Sequence, residues 1–183
     1  MSGLSLVVPA APYLDGYVAA LRQGWSPNTL RDVSGEYLAA IAADPDAFLR
    51  GLTQPGGTIS LGDGRVVPRL PGLVRWLWDG DFCGTVSLRY VPGTEELPSY
   101  VEGHIGYAVV PWKRRLGYAT QALREILPHA ADAGLRHVDL TCDDDNRPSQ
   151  KVIEANGGTL VSRAPDDLRP GKEKLLFRII LAP

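Results

Sequence analysis

A chain of 183 residues with 44% hydrophobic and 22% charged residues can bury one full core, which excludes a disordered or fibrous protein. A formal net charge of −2 excludes a general affinity for nucleic acid, so any basic patch must act locally. The two cysteines, Cys83 and Cys142, sit in apolar strand-like settings and read as buried small hydrophobes rather than a disulfide or metal pair.

In chain order, "LSLVVPA" (4 to 10) reads as a short strand ended by Pro9. Leu14, Tyr17, Val18 and Leu21 recur at helical spacing and predict a helix from Pro12 to about Gln23. A second helix is predicted over 34 to 49, bent or split by Pro45. Residues 53 to 72 are dense in Gly and Pro and read as loop with at most a short edge strand. "LVRWLWDGDFCGTVSLRYV" (73 to 91) reads as two strands around Asp79-Gly80, a strong hairpin signal. After a loop over 92 to 103 come the strand "HIGYAVVP", a helix, the strand "HVDLTCD", another helix and the strands "GTLVSR" and "KLLFRIIL". Trp76 and Trp78 share a strand face and read as core packing before pocket wall. With no repeat and no linker, residues 1–183 are expected to form one α/β domain. No apolar run approaches the ~20 residues of a membrane span, and no leader pattern opens the chain, so a cytoplasmic location is expected.

The unusual stretch is the passage from strand to helix, "VVPWKRRLGYATQAL". Lys113, Arg114 and Arg115 stand where the backbone N–H groups of a first helical turn lack internal partners and favour an anion. Gly117 permits close approach to that backbone and Ala119 keeps the next position small. Together these residues describe a phosphate cradle, most naturally for a pyrophosphate. A solvated basic turn is the plain alternative. The P-loop pattern is absent, and so are the three glycines of a dinucleotide fingerprint.

"GYAVVPWKRRLGYATQAL" resembles motif A of the GNAT superfamily of acetyl-CoA-dependent N-acyltransferases, with the signature Q/R-x-x-G-x-G/A carried by Arg114, Gly117 and Ala119. "DDDNRPSQKVIEANGG" (143 to 158) is similar to motif B, with Asn146, Ser149 and Gly157 at its positions. The likeness runs from about Leu73 to the C-terminus. It implies the GNAT fold, a mixed central sheet flanked by helices, and transfer of an acetyl group from acetyl-CoA to a primary amine. It also implies cofactor contacts on Tyr107, Val109 and Val110 of the strand, and on Arg114, Arg115, Leu116, Gly117, Tyr118, Ala119 and Thr120 of the cradle. Asn146 and Ser149 are implied at the pantetheine arm, with Asn146 also the helix N-cap. The thioester oxygen would meet a backbone amide near Val109.

Catalysis further needs a base for the amine and an acid for the thiolate. Glu102 and His104 both stand at the start of the strand, and either fits the base. Many family members place the acid, a tyrosine, where this chain has Ile153, so protonation falls to Ser149 or to water. Carboxylates in "CDDDN" lack calcium-loop spacing, and no metal is expected. The expected partners are acetyl-CoA and an amine, small or on a peptide or protein, without nucleic acid or membrane, and with a homodimer left open. A catalytically silent acyl-CoA-binding regulatory module and a nucleotide-phosphate binder are the rival readings.

Overall fold

A computed structural model describes residues 3–29, 31–61, 64–166 and 169–181. The chain runs β1 (Ser5–Val7), α1 (Ala11–Arg22), α2 (Ser34–Ala43), α3 (Pro45–Thr53), β2 (Thr58–Ser60), β3 (Val66–Pro68), β4 (Gly72–Trp78) and β5 (Phe82–Arg89). It continues through β6 (Ile105–Val109), a single 3-10 turn (Pro111–Lys113), α4 (Tyr118–Asp132), β7 (His137–Asp143), α5 (Arg147–Glu154), β8 (Thr159–Pro165) and β9 (Glu173–Ile180). Pro45 splits the long helix rather than bending it. Asp44 leaves helical geometry, ends α2, and accepts the Ala47 N–H at 2.8 Å to cap α3. The Gly/Pro-rich stretch holds a small antiparallel hairpin, β2 with β3, where a loop with one edge strand was expected. Its residues are mostly exposed, so the hydrophobic pattern that announces a strand is missing.

The main sheet comes in two parts, ordered β1-β4-β5-β6 and β7-β9-β8, and every pairing within them is antiparallel. Two cores lie on opposite sides. Trp76 and Leu77 are neighbours on β4, so alternation sends one to each. Leu77, Val86 and Leu88 pack beneath α4 and α5 with Leu123, Ile126, Leu140 and Ile153. Trp76 joins Tyr17, Leu21, Ile41 and Leu49 from the first three helices, and its ring stacks on Tyr17 at 4.5 Å between centroids. Core packing is therefore what Trp76 does. Cys83 and Cys142 are buried free thiols, and burial pushes them up to about 12 and about 11. No helix among the described residues is long and apolar enough to cross a membrane.

Candidate active site

The site begins where the two parts of the sheet separate. His104 donates its N–H to the Asp139 carbonyl at 2.7 Å, and its Nδ1 accepts the Asp139 N–H at 3.0 Å. One residue thus closes both bonds of a strand bridge. Gly103 permits the approach, since a Cβ there would stand 2.9 Å from the Asp139 oxygen. Beyond this clamp β6 and β7 belong to different sheets. Val110 donates to Cys83 and the His104 carbonyl accepts from Arg89, so the even-numbered residues of β6 face β5. Antiparallel alternation then turns the backbone groups of Tyr107 and Val109 to the opposite edge, and Arg114 Nε reaches the Val109 carbonyl there at 3.3 Å. The same count on β7, where Leu181 donates to Arg136 and Asp144 donates to Glu173, turns Thr141 toward the gap. The result is a wedge with backbone donors and acceptors along both sides.

At the far end of β6 the chain enters the cradle. Gly117 is the N-cap of α4 at φ 81°, a left-handed conformation that favours glycine, and Arg115 holds φ 61° beside it. Asp44 and Asn146 cap α3 and α5, whereas α1, α2 and α4 have no side-chain cap, and of these three α4 is the one preceded by the run Lys113, Arg114 and Arg115. Its first-turn donors are left for another partner. Lys113 does not supply a free charge, as its motif position suggested. Its Nζ lies 2.8 Å from Asp79 Oδ2, which also accepts the Tyr118 hydroxyl at 2.6 Å. Burial pushes Asp79 upward, but the Lys113 and Tyr118 hydrogen bonds outweigh it and hold the carboxyl at about 2. Asp79, from the β4–β5 turn, thereby pins both ends of the cradle. Its Asp-Gly context announces a turn and nothing of this task.

A cavity of about 690 Å³ opens from the wedge. It is lined by Ser87 and Arg89 of β5, Gly106 and Tyr107 of β6, Thr141 and Asp143 of β7, and Asn146 and Ser149. Asn146 Oδ1 accepts the Ser149 N–H at 3.2 Å. The Ser149 hydroxyl lies 2.7 Å from that of Tyr107, whose phenol burial pushes up to about 12. This hydroxyl pair is the feature that strand alternation alone does not announce, because Tyr107 and Ser149 lie far apart in sequence. Ile153 is fully buried in the core below. Glu102 stands at the rim with its carboxylate 3.3 Å from Lys174 Nζ, and Lys174 also binds Asp143 at 3.0 Å. His104 is fully buried, Nε2 has no hydrogen-bond partner among the described residues, and burial lowers the ring's pKa. Tyr107, Asn146, Ser149 and Glu102 therefore share one cavity, the cradle residues lie at the other end of β6, and His104 lies at the clamp.

The sequence model of the acetyltransferase (GNAT) family matches residues 63–157, just over half of the chain, and the protein belongs to that family. Solved structures of the same fold include RimL, a ribosomal L7/L12 alpha-N-protein acetyltransferase in complex with coenzyme A. It is 14% identical, with 99% of this chain and 96% of that one covered at a TM-score of 0.65. The microcin C7 self-immunity acetyltransferase MccE, in complex with acetyl-CoA and AMP, is 14% identical over 97% and 92% at a TM-score of 0.62. YncA from Salmonella typhimurium, a putative acetyltransferase solved with acetyl-CoA, is 14% identical over 98% and 94% at 0.58. No curated protein sequence matches the chain.

Proposed function

We propose that this chain, acting as one domain, transfers the acetyl group of acetyl-CoA directly to a primary amine. The observation that carries the reading is the open edge of β6 leading to the uncapped start of α4. The edge offers backbone groups to an extended pantetheine arm, and the helix start offers donors to a pyrophosphate. Arg114, Arg115, Leu116, Gly117, Tyr118, Ala119 and Thr120 form that start. The acetyl-CoA and CoA complexes among structures of the same fold support it.

In this reading the neutral amine attacks the thioester carbonyl, a C–N bond forms, and the Val109 N–H meets the developing oxyanion. The C–S bond breaks, Ser149 gives its hydroxyl proton to the thiolate, and solvent restores it. Glu102 takes the amine proton through a water at the cavity rim. His104 holds the clamp, with Nδ1 already engaged and the ring buried. Ile153 in the position of the missing tyrosine favours a second reading, a silent acyl-CoA-binding module. Thiol release from acetyl-CoA over a panel of amines separates the two. Glu102→Gln is expected to lower kcat/KM on the order of 10²-fold with CoA affinity unchanged. Binding of CoA with no turnover of any amine would leave the silent module standing.

A further inference from the structure

Alternation along β5 sends Val86 and Leu88 into the core beneath α4, and turns Thr85, Ser87 and Arg89 to the opposite face, where they line the cavity. Arg89 is half-buried there. Its Nε donates to the Gly103 carbonyl at 2.6 Å. The rest of the guanidinium lies over Gly106 of β6, with Nη2 at 3.4 Å and Ser87 Oγ at 3.7 Å from the place a Cβ would occupy. These are ordinary contact distances, so the guanidinium packs directly against the Gly106 face of β6.

The other cations of the cavity are already answered. Lys174 binds Glu102 and Asp143, and Arg169 binds Asp143 and Asp166. Among the described residues no carboxylate lies within ion-pair distance of Arg89, and neither Nη1 nor Nη2 meets a protein acceptor. The nearest help is the field of Glu102, while burial works against the charge. Withdrawing a guanidinium from water without a counter-ion is costly, and its terminal nitrogens form a planar fork suited to two oxygens.

We infer that Arg89 is an anion anchor for the acceptor, so that the substrate is an amine that also carries a carboxylate or a phosphate. The inference rests on the acetyl-transfer reading for the amine and on the cavity for the anion. A strand rise of about 3.3 Å per residue puts Gly106 roughly 10 Å from Val109. A hydrogen bond at one end and an attack distance at the other each take about 3 Å, so the spacer between amine and anion is short. Glu102 and Arg89 then face a substrate of both signs.

The test compares matched acceptors on the whole protein with acetyl-CoA: common amino acids against their carboxamides, and phosphoethanolamine against ethanolamine. At least a tenfold preference in kcat/KM for the anionic member of one pair set is expected, and which set shows it names the anion. Arg89→Gln should abolish that preference, Arg89→Lys should retain part of it, and CoA affinity by calorimetry should stay within twofold in both. Turnover without preference, or with the neutral member preferred, overturns the anchor and leaves acetyl transfer intact. If CoA binds and no amine turns over, the transfer reading fails instead. Calorimetry of the same acceptors on the CoA-loaded wild-type protein then decides: tighter binding of the anionic members upholds the anchor, and equal or absent binding overturns it.

Discussion

Ser149 and Tyr107 show how much one contact between distant residues can change the reading of a site. Ser149 alone is a first-turn helix serine, a type that often bonds only to backbone. Its N–H does go to Asn146 Oδ1, but its hydroxyl meets that of Tyr107 at 2.7 Å inside the cavity. A hydroxyl held this way can give up a proton while its partner keeps the oxygen solvated. We expect Ser149→Ala to lower kcat on the order of 10²-fold, within the usual range for a general acid, while CoA affinity measured by calorimetry is unchanged. Tyr107→Phe leaves the serine but removes its partner, so its loss in kcat should be smaller. With the Tyr107 phenol at about 12, the pair stays protonated through neutral pH. No alkaline fall in kcat below about pH 10 should then belong to it. Wild-type turnover in both variants would move thiolate protonation to water. The sequence made Ser149 visible through its motif position, whereas Tyr107 read only as a strand residue against the cofactor, since a strand does not tell which distant helix it faces.

Among the elements, β6 is defined by how it starts. The alternation in "HIGYAVV" is that of any half-buried strand, and the spacing made His104 as good a base as Glu102. In the proposed reading, burial of His104 and its bond to the Asp139 backbone favour Glu102, and neither leaves a mark in local sequence. The clamp makes its own prediction. Burial lowers the folded-state pKa of His104 below its unfolded value, so the neutral ring stabilises the fold fully above about pH 6.5. That contribution is lost as pH falls through the lowered folded value, at no more than about 1.4 kcal/mol per pH unit for one proton. His104→Asn keeps an acceptor for the Asp139 N–H and removes the titration. Thermal unfolding should therefore show wild-type Tm dropping relative to His104→Asn between pH 7 and pH 5, by a few degrees. Parallel pH profiles for the two proteins would mean that His104 carries no such linkage. The cradle was easier to read, because Gly117 is a local backbone requirement and sits at φ 81°. The pin from Asp79 to Lys113 and Tyr118 was not, because it joins a hairpin turn to a helix start across the sheet.

At the scale of the molecule, the order of strands and helices was legible almost throughout, and the parting of the sheet was not. Hydrophobic alternation reports that a strand is covered on its faces; it carries no information about its edges, where the bonding partners are backbone. The chain belongs to the GNAT family, and its two antiparallel parts meet through the His104–Asp139 clamp and then separate. An unpaired edge inside a protein must be satisfied by water or by a ligand. If the pantetheine arm enters as a substitute strand, it should protect only those amides that face the gap. Residue-resolved hydrogen exchange with and without CoA tests this directly. Val109 and Tyr107 should slow on CoA binding, and Thr141 across the gap should slow if the arm spans both sides. Ala108 and Val110 point their N–H groups at β5 and should change little. The tenfold or greater slowing expected at Val109 corresponds to about 1.4 kcal/mol of added protection, well within what a ligand present at 100 times its Kd supplies. Slowing confined to Tyr118, Ala119 and Thr120 would mean that the phosphates dock on α4 while the arm stays outside the wedge. Val109 would then lose its place beside the thioester, and the transfer step would have to be built on another edge.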